Sequence, residues 1–162
     1  KKTQPQKHNH TTNNNSDVLG SRRCECGPQL HTALENIVGE GAGALIYMAS
    51  HEGRGIGLWA KAVTYILQDM GQDTYQANES LGLPTDSRDF TEAGLVIRAM
   101  RPKGDGIRLL SNNLLKKEHL EREGVDVVEM VPLVCGVTDY NRRYLRSKKE
   151  HGHLIPEKAI KE

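Results

Sequence analysis

The alternation of helical and extended patterns along the chain is the feature that most constrains its fold. Apolar residues recur at helical spacing in "QLHTALENIVGEG" and "LWAKAVTYILQDMG", with Val63, Ile66, Leu67 and Met70 on one face of the second helix. Between these helices "GALIYMA" is typical of a buried strand. Further helices are predicted in "SRDFTEAGLVIRAM" and "LKKEHLEREG", and strands in "GIRLLSNN" and "VDVVEMVPLV". Short connections between alternating elements predict an α/β domain with some parallel pairing.

Length and local composition divide the chain into three parts. A chain of 162 residues suits one domain. Residues 1–16 contain no Val, Ile, Leu or aromatic residue, so we expect a flexible N-terminal segment there. We place the domain at residues 17–150 and a C-terminal tail at residues 151–162. The stretch from Asn141 onward is basic, and we expect it to be exposed.

Charge and cysteine content exclude several classes of protein. Lys and Arg number 22 and Asp and Glu 21, for a formal net charge of +1. This balance argues against a general nucleic-acid or membrane-surface binder, although local basic clusters can still hold phosphates. No apolar run approaches the roughly 20 residues of a membrane span. Three cysteines make a poor disulfide framework and suit a reducing cytosol, so we expect a cytoplasmic protein.

Two cysteines one residue apart, Cys24 and Cys26, allow two interpretations. They form half of a metal site, or they are free thiols in a tight turn. The preceding residues, "HTTNNNSD", contain no further cysteine. The pair alone does not decide between the two, because a catalytic zinc normally has three protein ligands.

Polar residues follow the predicted strands, where ligands collect in α/β folds. After "GALIYMA" comes "SHEGRGIGL", whose glycines allow close backbone approach and whose Glu52 and Arg54 suit a cation and a phosphate. The alternative is a glycine-rich turn with a surface ion pair. "LPTDSRDF" offers Asp86 as a general base and Arg88 as a phosphate ligand, and "SNNLLKK" offers further donors. Read singly, these last two segments are more typical of helix N-caps.

Taken together, the segments resemble the GTP cyclohydrolase II family of riboflavin biosynthesis. "RCECGPQL", "HEGRGIGL", "LQDMGQDTYQAN", "LGLPTDSRDF", "LLSNNLLK" and "GHLIP" occur in the order and spacing of that family, over residues 17–156. The resemblance implies a single α/β domain with a mixed sheet flanked by helices, a homodimer, and the cofactors Zn²⁺ and Mg²⁺. The implied reaction opens the imidazole ring of GTP and releases formate and pyrophosphate, leaving a diaminopyrimidinone ribosyl phosphate.

The resemblance also implies roles for individual residues. Two of the three zinc-binding cysteines are Cys24 and Cys26. Substrate contacts match at Gln29, Glu52, Gly53, Arg54, Thr74, Ser111 and Lys116. Tyr65 matches a tyrosine near the guanine ring, Asp86 a proton acceptor and Arg88 a nucleophile. A guanidinium is protonated at any working pH, so a phosphate-clamping role for Arg88 is chemically easier.

The sequence departs from the family pattern before the cysteine pair. Where the family has approximately "RVHSECLTGD", this chain has "HNHTTNNNSD", so Asn13 stands in place of the third zinc-binding cysteine and Thr12 in place of a glutamate. His10 or His8 offers an alternative third ligand.

Three functions therefore remain open. The chain is an active GTP cyclohydrolase II, a divergent member that binds GTP and releases at most pyrophosphate, or a non-catalytic nucleotide-binding module.

Overall fold

The structure of the chain is a computed structural model that describes residues 6–11, 13–101 and 106–160, and of residues 6–11 it describes the backbone. The strands are Gln6–Thr11 (β1), Gly43–Met48 (β2), Ile107–Leu110 (β3) and Val127–Val131 (β4). The α-helices are Asn14–Asp17 (α1), Cys26–Gly39 (α2), Leu58–Asp69 (α3), Thr74–Ser80 (α4), Thr91–Met100 (α5), Leu114–Arg122 (α6) and Arg142–Glu150 (α7). Within these ranges no helix has both the length and the apolar composition needed to cross a membrane.

The strands form one sheet in the order β2-β1-β3-β4, and the three pairings are parallel. Parallel neighbours require crossover connections, which the helices between successive strands supply. The predicted α/β fold class is thus confirmed. The resemblance implied a mixed sheet, whereas the described strands pair in parallel, and an isolated antiparallel bridge joins Asn113 to His153 outside them.

The N-terminal part of the chain differs from the sequence-based expectation. We expected residues 1–16 to be flexible, but β1 lies between β2 and β3 and the helix α1 follows it. Composition failed here because it measures the apolar side chains a segment can bury. A central strand is also held by main-chain hydrogen bonds to both neighbours, which do not depend on side-chain type. Residues 1–5 and Thr12 lie outside the described residues.

The main core packs α5 and α6 against the sheet. Its buried members are Met48, Ala93, Ile97, Ile107, Leu109, Leu120, Val125 and Val127. Two smaller clusters lie toward the cleft described below: one joins α2 to β3 through Ala33 and Leu110, and the other surrounds Leu145 of α7. This distribution fixes the carboxyl ends of the strands relative to the helices that follow them.

The C-terminal part is packed against the domain. We expected the basic stretch from Asn141 to be exposed and residues 151–162 to form a tail. Instead, Leu145 is fully buried, and Ile155 and Ile160 pack around it. The basic composition concealed this because the apolar residues of α7 are few and occupy the inward side. Residues 161–162 lie outside the described part of the chain.

Helix α3 exposes much of the apolar face that the sequence predicted. On this face Val63 is 44%, Ile66 61% and Met70 77% accessible. The buried side chains of this helix are instead Lys61 and Thr64. Helical periodicity identified the amphipathic pattern correctly, but periodicity does not specify which face meets the rest of the chain when the chain presents a polar cleft.

Candidate functional site

A polar cleft lies where the strands of the sheet end. Because β1, β2 and β3 are parallel, their carboxyl ends meet at one edge, and the segments that follow each strand converge there. Side chains from α2, α3, α4, α6 and α7 complete the walls. The cleft is therefore built from positions far apart in the sequence.

The glycine-rich segment after β2 folds as a left-handed turn. Gly53, Arg54 and Gly55 have φ values of 60°, 62° and 90°, and Arg54 is the non-glycine residue with positive φ within the described ranges. A Cβ atom on Gly55 would lie 2.6 Å from Ser87 Oγ, so glycine is required there. The turn brings the backbone of this segment to the cleft, as the sequence predicted.

Arg54 presents a guanidinium with unused hydrogen-bonding capacity. Its carbon Cζ lies 4.1 Å from the centre of the Tyr75 ring, and that ring stacks on His151 with centroids 3.4 Å apart. The two terminal nitrogens of Arg54 are buried and have no hydrogen-bond partner among the described residues. A buried guanidinium held in this way is suited to receive an anion.

Arg88 is the second buried arginine of the cleft, and Asp86 holds it. Arg88 Nε donates to Asp86 Oδ1 over 2.8 Å, and Arg88 Nη2 donates to Asp86 Oδ2. Burial raises the pKa of Asp86, but the hydrogen bond and charge of Arg88 outweigh burial and hold this pKa below its usual value. Asp86 is therefore ionised and bound to Arg88 rather than facing the cleft.

Lys116 supplies a third cationic side chain. It lies in the first turns of α6, which begins after the N-cap Asn113, whose side chain accepts from Leu115 N. Burial, together with the charges of Arg88 and Lys148, lowers the pKa of Lys116 to about 7. Repulsion among these cations marks a site arranged for a polyanion.

Two histidines of the cleft are held neutral. Burial, followed by the charge of Arg88, lowers the pKa of His51. Burial and the charge of Lys148 lower the pKa of His153 to about 3. Both line the cleft, and the sequence analysis did not select either of them. Neutral imidazoles can accept hydrogen bonds without adding to the positive charge.

The helix α4 places Thr74 at the cleft. Its N-cap Asp73 accepts hydrogen bonds from Tyr75 N and Gln76 N through its side chain, and Asp73 N donates to Gln76 Oε1. This capping box fixes the start of α4, so it positions both Thr74 and the Tyr75 ring beneath Arg54.

The cysteine pair also lines the cleft, next to Asn13. Asn13 Nδ2 donates to Cys24 Sγ over 3.1 Å and to Cys26 Sγ over 3.3 Å. A hydrogen bond from Cys26 lowers the pKa of Cys24 to about 6, and the same interaction, together with burial, raises the pKa of Cys26. Cys24 therefore ionises more readily than Cys26.

The residues at this position do not fit a zinc ion. In the part of the chain that the structure describes, no group of three or more His, Cys, Asp or Glu side chains is placed to hold a metal ion. The third neighbour of the cysteines is an amide that points N–H groups at both sulfurs, and an N–H group cannot be a metal ligand. The side chains of His8 and His10, which the sequence analysis offered as alternatives, lie outside the described residues.

Ten of the twelve predicted site residues line the cleft. They are Cys24, Cys26, Gln29, Gly53, Arg54, Tyr65, Thr74, Arg88, Ser111 and Lys116. Asp86 lies behind Arg88. Glu52 lies behind the wall, where its carboxylate accepts from Lys61 Nζ over 2.6 Å and from Asn14 N over 2.6 Å. The position of Glu52 therefore supports a structural role better than direct contact with a metal ion.

Sequence reasoning missed Lys61, Tyr144 and Lys148, which also line the cleft. Lys148 Nζ lies 3.2 Å from the fully buried carboxylate of Glu25, the residue between the two cysteines. A signal was present in α3, where Lys61 and Tyr65 are four residues apart and so share a face. In α7 the pair Tyr144 and Lys148 has the same spacing.

Comparisons with known proteins identify the family of the chain. The family model for GTP cyclohydrolase II matches residues 9–132. The chain is 47% identical to riboflavin biosynthesis protein RibBA of Mycobacteroides abscessus over 138 residues, 85% of this chain and 33% of that protein. It is 44% identical to GTP cyclohydrolase-2 of Streptomyces coelicolor over 141 residues, 86% of this chain and 63% of that protein.

A plant relative extends the comparison. The chain is 45% identical to a probable bifunctional riboflavin biosynthesis protein, RIBA 2, of Oryza sativa over 139 residues, covering 85% of this chain and 25% of that protein. The chain thus spans between a quarter and two thirds of the length of these curated relatives. The matched region contains the cysteine pair, the glycine-rich turn and the segments carrying Arg88 and Lys116. The chain belongs to the GTP cyclohydrolase II family.

Proposed function

We propose that the cleft binds GTP and hydrolyses it with release of pyrophosphate. The observation that carries this proposal is the convergence of Arg54, Arg88 and Lys116 in one cleft. Three cationic side chains suit the negative charge of a triphosphate. His51 and His153 are neutral and add no charge to the cleft.

Each cation has a separate part in the reaction. Arg54 and Lys116 bind the β- and γ-phosphates and stabilise the charge that develops on pyrophosphate as it leaves. Arg88, oriented by Asp86, clamps the α-phosphate. A water molecule attacks that phosphorus and releases a proton to solvent, the bond to the bridging oxygen breaks, and pyrophosphate departs, leaving GMP. Glu52 is paired with Lys61 and is therefore not available as a metal ligand, so Mg²⁺ enters the cleft bound to the triphosphate.

Other side chains of the cleft are placed to recognise the guanine base. Gln29 Nε2 donates to Leu133 O over 2.6 Å, which fixes the side-chain amide and leaves Oε1 to accept from the guanine edge. Tyr65 and the cysteine pair lie on the same side of the cleft as Asn13 and Lys61. In this arrangement the guanine base lies near the sulfurs and the triphosphate near the arginines.

The full family reaction is the second candidate. Retention of both Cys24 and Cys26 in the cleft favours it, because they match two of three ligands that the family resemblance implies for zinc. That reaction adds opening of the imidazole ring and release of formate. The described residues provide no third ligand, so no ring-opening step is assigned to them.

One product assay distinguishes the candidates. The protein is incubated with GTP and Mg²⁺, with and without added Zn²⁺, and pyrophosphate and formate are measured in the same samples. The proposal predicts pyrophosphate without formate, lost in Arg88→Ala and retained in Arg98→Ala, an exposed arginine of α5. Zinc-dependent formate supports the full reaction instead. Absence of both products, together with no GTP binding, supports a non-catalytic role.

The homodimer and the cytoplasmic location also remain proposals. Trp59, Ile66 and Met70 form an exposed apolar strip on α3, a surface of the kind that homodimers bury. The three cysteines are free thiols, as expected in a reducing compartment. Light scattering on the purified protein tests the dimer: the mass of one chain would refute it.

A further inference from the structure

The position of the Asn13 side chain is set by an ion pair behind it. Lys61 Nζ lies 2.6 Å from Glu52 Oε1, and both side chains are more than nine-tenths buried. The same ammonium donates to Asn13 Oδ1 over 2.5 Å. Burial lowers the pKa of Lys61, but the neighbouring Tyr65 and Glu52 outweigh burial and raise it overall. A permanent cation therefore faces the amide oxygen of Asn13.

This cation determines which end of the amide meets the cysteines. With Oδ1 bound to Lys61, Nδ2 points at Cys24 Sγ and Cys26 Sγ. Rotating the amide by 180° would place an NH₂ group against an ammonium and would leave the Lys61 proton without its acceptor. Oδ1 also accepts from Ser16 N over 3.3 Å, as the N-cap of α1. The hydrogen bonds of the amide to Lys61, to Ser16 N and to the two sulfurs thus all favour the same orientation of the Asn13 side chain.

The sulfurs are consequently satisfied without a metal. Each accepts an N–H from Asn13. A zinc ion bound between the sulfurs would displace both hydrogen bonds and gain from Asn13 no donor atom in return. Among the residues that the structure describes, the pair has no third protein ligand of the kind that zinc sites require, and the amide of Asn13 occupies that position instead.

We infer that Asn13 closes Cys24 and Cys26 into a metal-free thiol site that does not retain zinc, and that this one side chain decides between a metal site and a hydrogen-bonded one. The inference concerns metal content alone. It does not depend on whether the cleft hydrolyses GTP, so failure of either proposal leaves the other intact.

The test measures zinc directly. Wild-type protein is saturated with Zn²⁺, dialysed against metal-free buffer, and assayed for zinc per chain by mass spectrometry of the metal. Asn13→Cys and Asn13→Asp are treated identically. The aspartate is isosteric with asparagine, keeps the N-cap oxygen and replaces the N–H groups with a ligand oxygen. Leu19→Cys, which adds a thiol at an exposed position, is the matched control.

We expect less than one tenth of a zinc ion per chain in the wild type and in Leu19→Cys, and about one per chain in Asn13→Cys or Asn13→Asp. A thiol reagent gives a second readout. Its rate of reaction with the wild type should be the same with and without a chelator, whereas a chelator should accelerate the reaction in a zinc-loaded variant. Thermal unfolding confirms that each variant is folded.

Two results would overturn the inference. The first is about one zinc per wild-type chain that is lost in Cys24→Ser, which would show that Asn13 does not prevent binding. Loss of the same zinc in His10→Ala would overturn it as well and would identify the third ligand. The second is absence of zinc from both folded Asn13 variants, which would show that Asn13 is not the deciding residue.

Discussion

Arg88 and Asp86 form a bidentate ion pair two residues apart in the chain, with Arg88 Nε 2.8 Å from Asp86 Oδ1. The carboxylate uses both oxygens on this guanidinium, and it also accepts from Arg88 N over 3.1 Å. Asp86 therefore acts through Arg88 as a positioning residue. Arg88 remains the member of the pair that lines the cleft.

Replacing Asp86 tests this division of roles. Asp86→Asn removes charge-assisted hydrogen bonds worth about 1.5–3 kcal/mol, so we expect kcat for pyrophosphate release to fall at least tenfold while KM for GTP changes little. Steady-state kinetics measures both. Glu92→Gln, an exposed acid on α5, is the control. An unchanged kcat in Asp86→Asn would refute the positioning role.

The guanidinium of Arg54 should be irreplaceable by an ammonium. Lysine keeps the charge but loses the planar fork and the stacking on Tyr75. We expect Arg54→Lys to weaken GTP binding about tenfold, equivalent to about 1.4 kcal/mol, as measured by calorimetry. Arg98→Lys on the exposed side of α5 should leave affinity unchanged. Equal affinities in wild type and Arg54→Lys would show that Arg54 acts as a simple charge.

Lys116 should make nucleotide binding sensitive to pH. Its pKa of about 7 means that the free protein carries the charge below pH 7 and loses it above. GTP affinity should therefore fall as pH rises from 6 to 8, by up to about tenfold per unit above the pKa. The nucleotide also titrates, so the measured quantity is the ratio of wild-type to Lys116→Met affinity. A ratio constant across this range would contradict the prediction.

The same pKa has a consequence for folding stability. The folded chain releases the Lys116 proton near pH 7, whereas the unfolded chain holds it to about pH 10.4. The unfolded state thus binds more protons across this window, and the contribution of Lys116 to the free energy of unfolding becomes more favourable as pH rises. Urea unfolding should show that the free energy of unfolding rises more from pH 7 to pH 9 in the wild type than in Lys116→Met.

The Lys61–Glu52 pair should carry much of the stability of the site. Lys61→Met leaves a buried carboxylate without its cation, and breaking such a pair costs about 3–5 kcal/mol. The double variant Lys61→Met/Glu52→Gln should recover part of this loss, since no charge remains buried. Lys158→Met, at an exposed lysine, is the control for urea unfolding. A loss for Lys61→Met no larger than in the control would contradict the structural role.

Much of the fold and of the site was predictable from local patterns. Helical spacing identified α2, α3, α5 and α6, and the apolar runs that begin at Gly43 and Gly106 identified β2 and β3. The position of polar residues after strands indicated where ligands collect, and the family resemblance selected Arg54 and Lys116, which both line the cleft. This worked because parallel strands align their carboxyl ends whatever their order in the sheet.

The remainder depended on long-range contacts that no local pattern contains. The strand β1 has a polar sequence, and its place between β2 and β3 is set by main-chain pairing. The apolar face of α3 points outward because Lys61 is drawn inward by Glu52 and Asn13. Asn13 could be recognised from the sequence as a substituted position, but its hydrogen bonds to the cysteines required the structure.

The central claim is that buried cations of the cleft hold a triphosphate, and the affinity ratio of GTP to GMP tests it most directly. Both nucleotides present the same base, so their difference reports the phosphate contacts alone. Calorimetry with Mg²⁺ and a GTP analogue that carries a non-cleavable methylene group between the α- and β-phosphates should show one site per chain, with GMP bound at least a hundredfold more weakly, equivalent to about 2.7 kcal/mol. Equal affinities for the analogue and GMP, or no binding of either, would contradict the account.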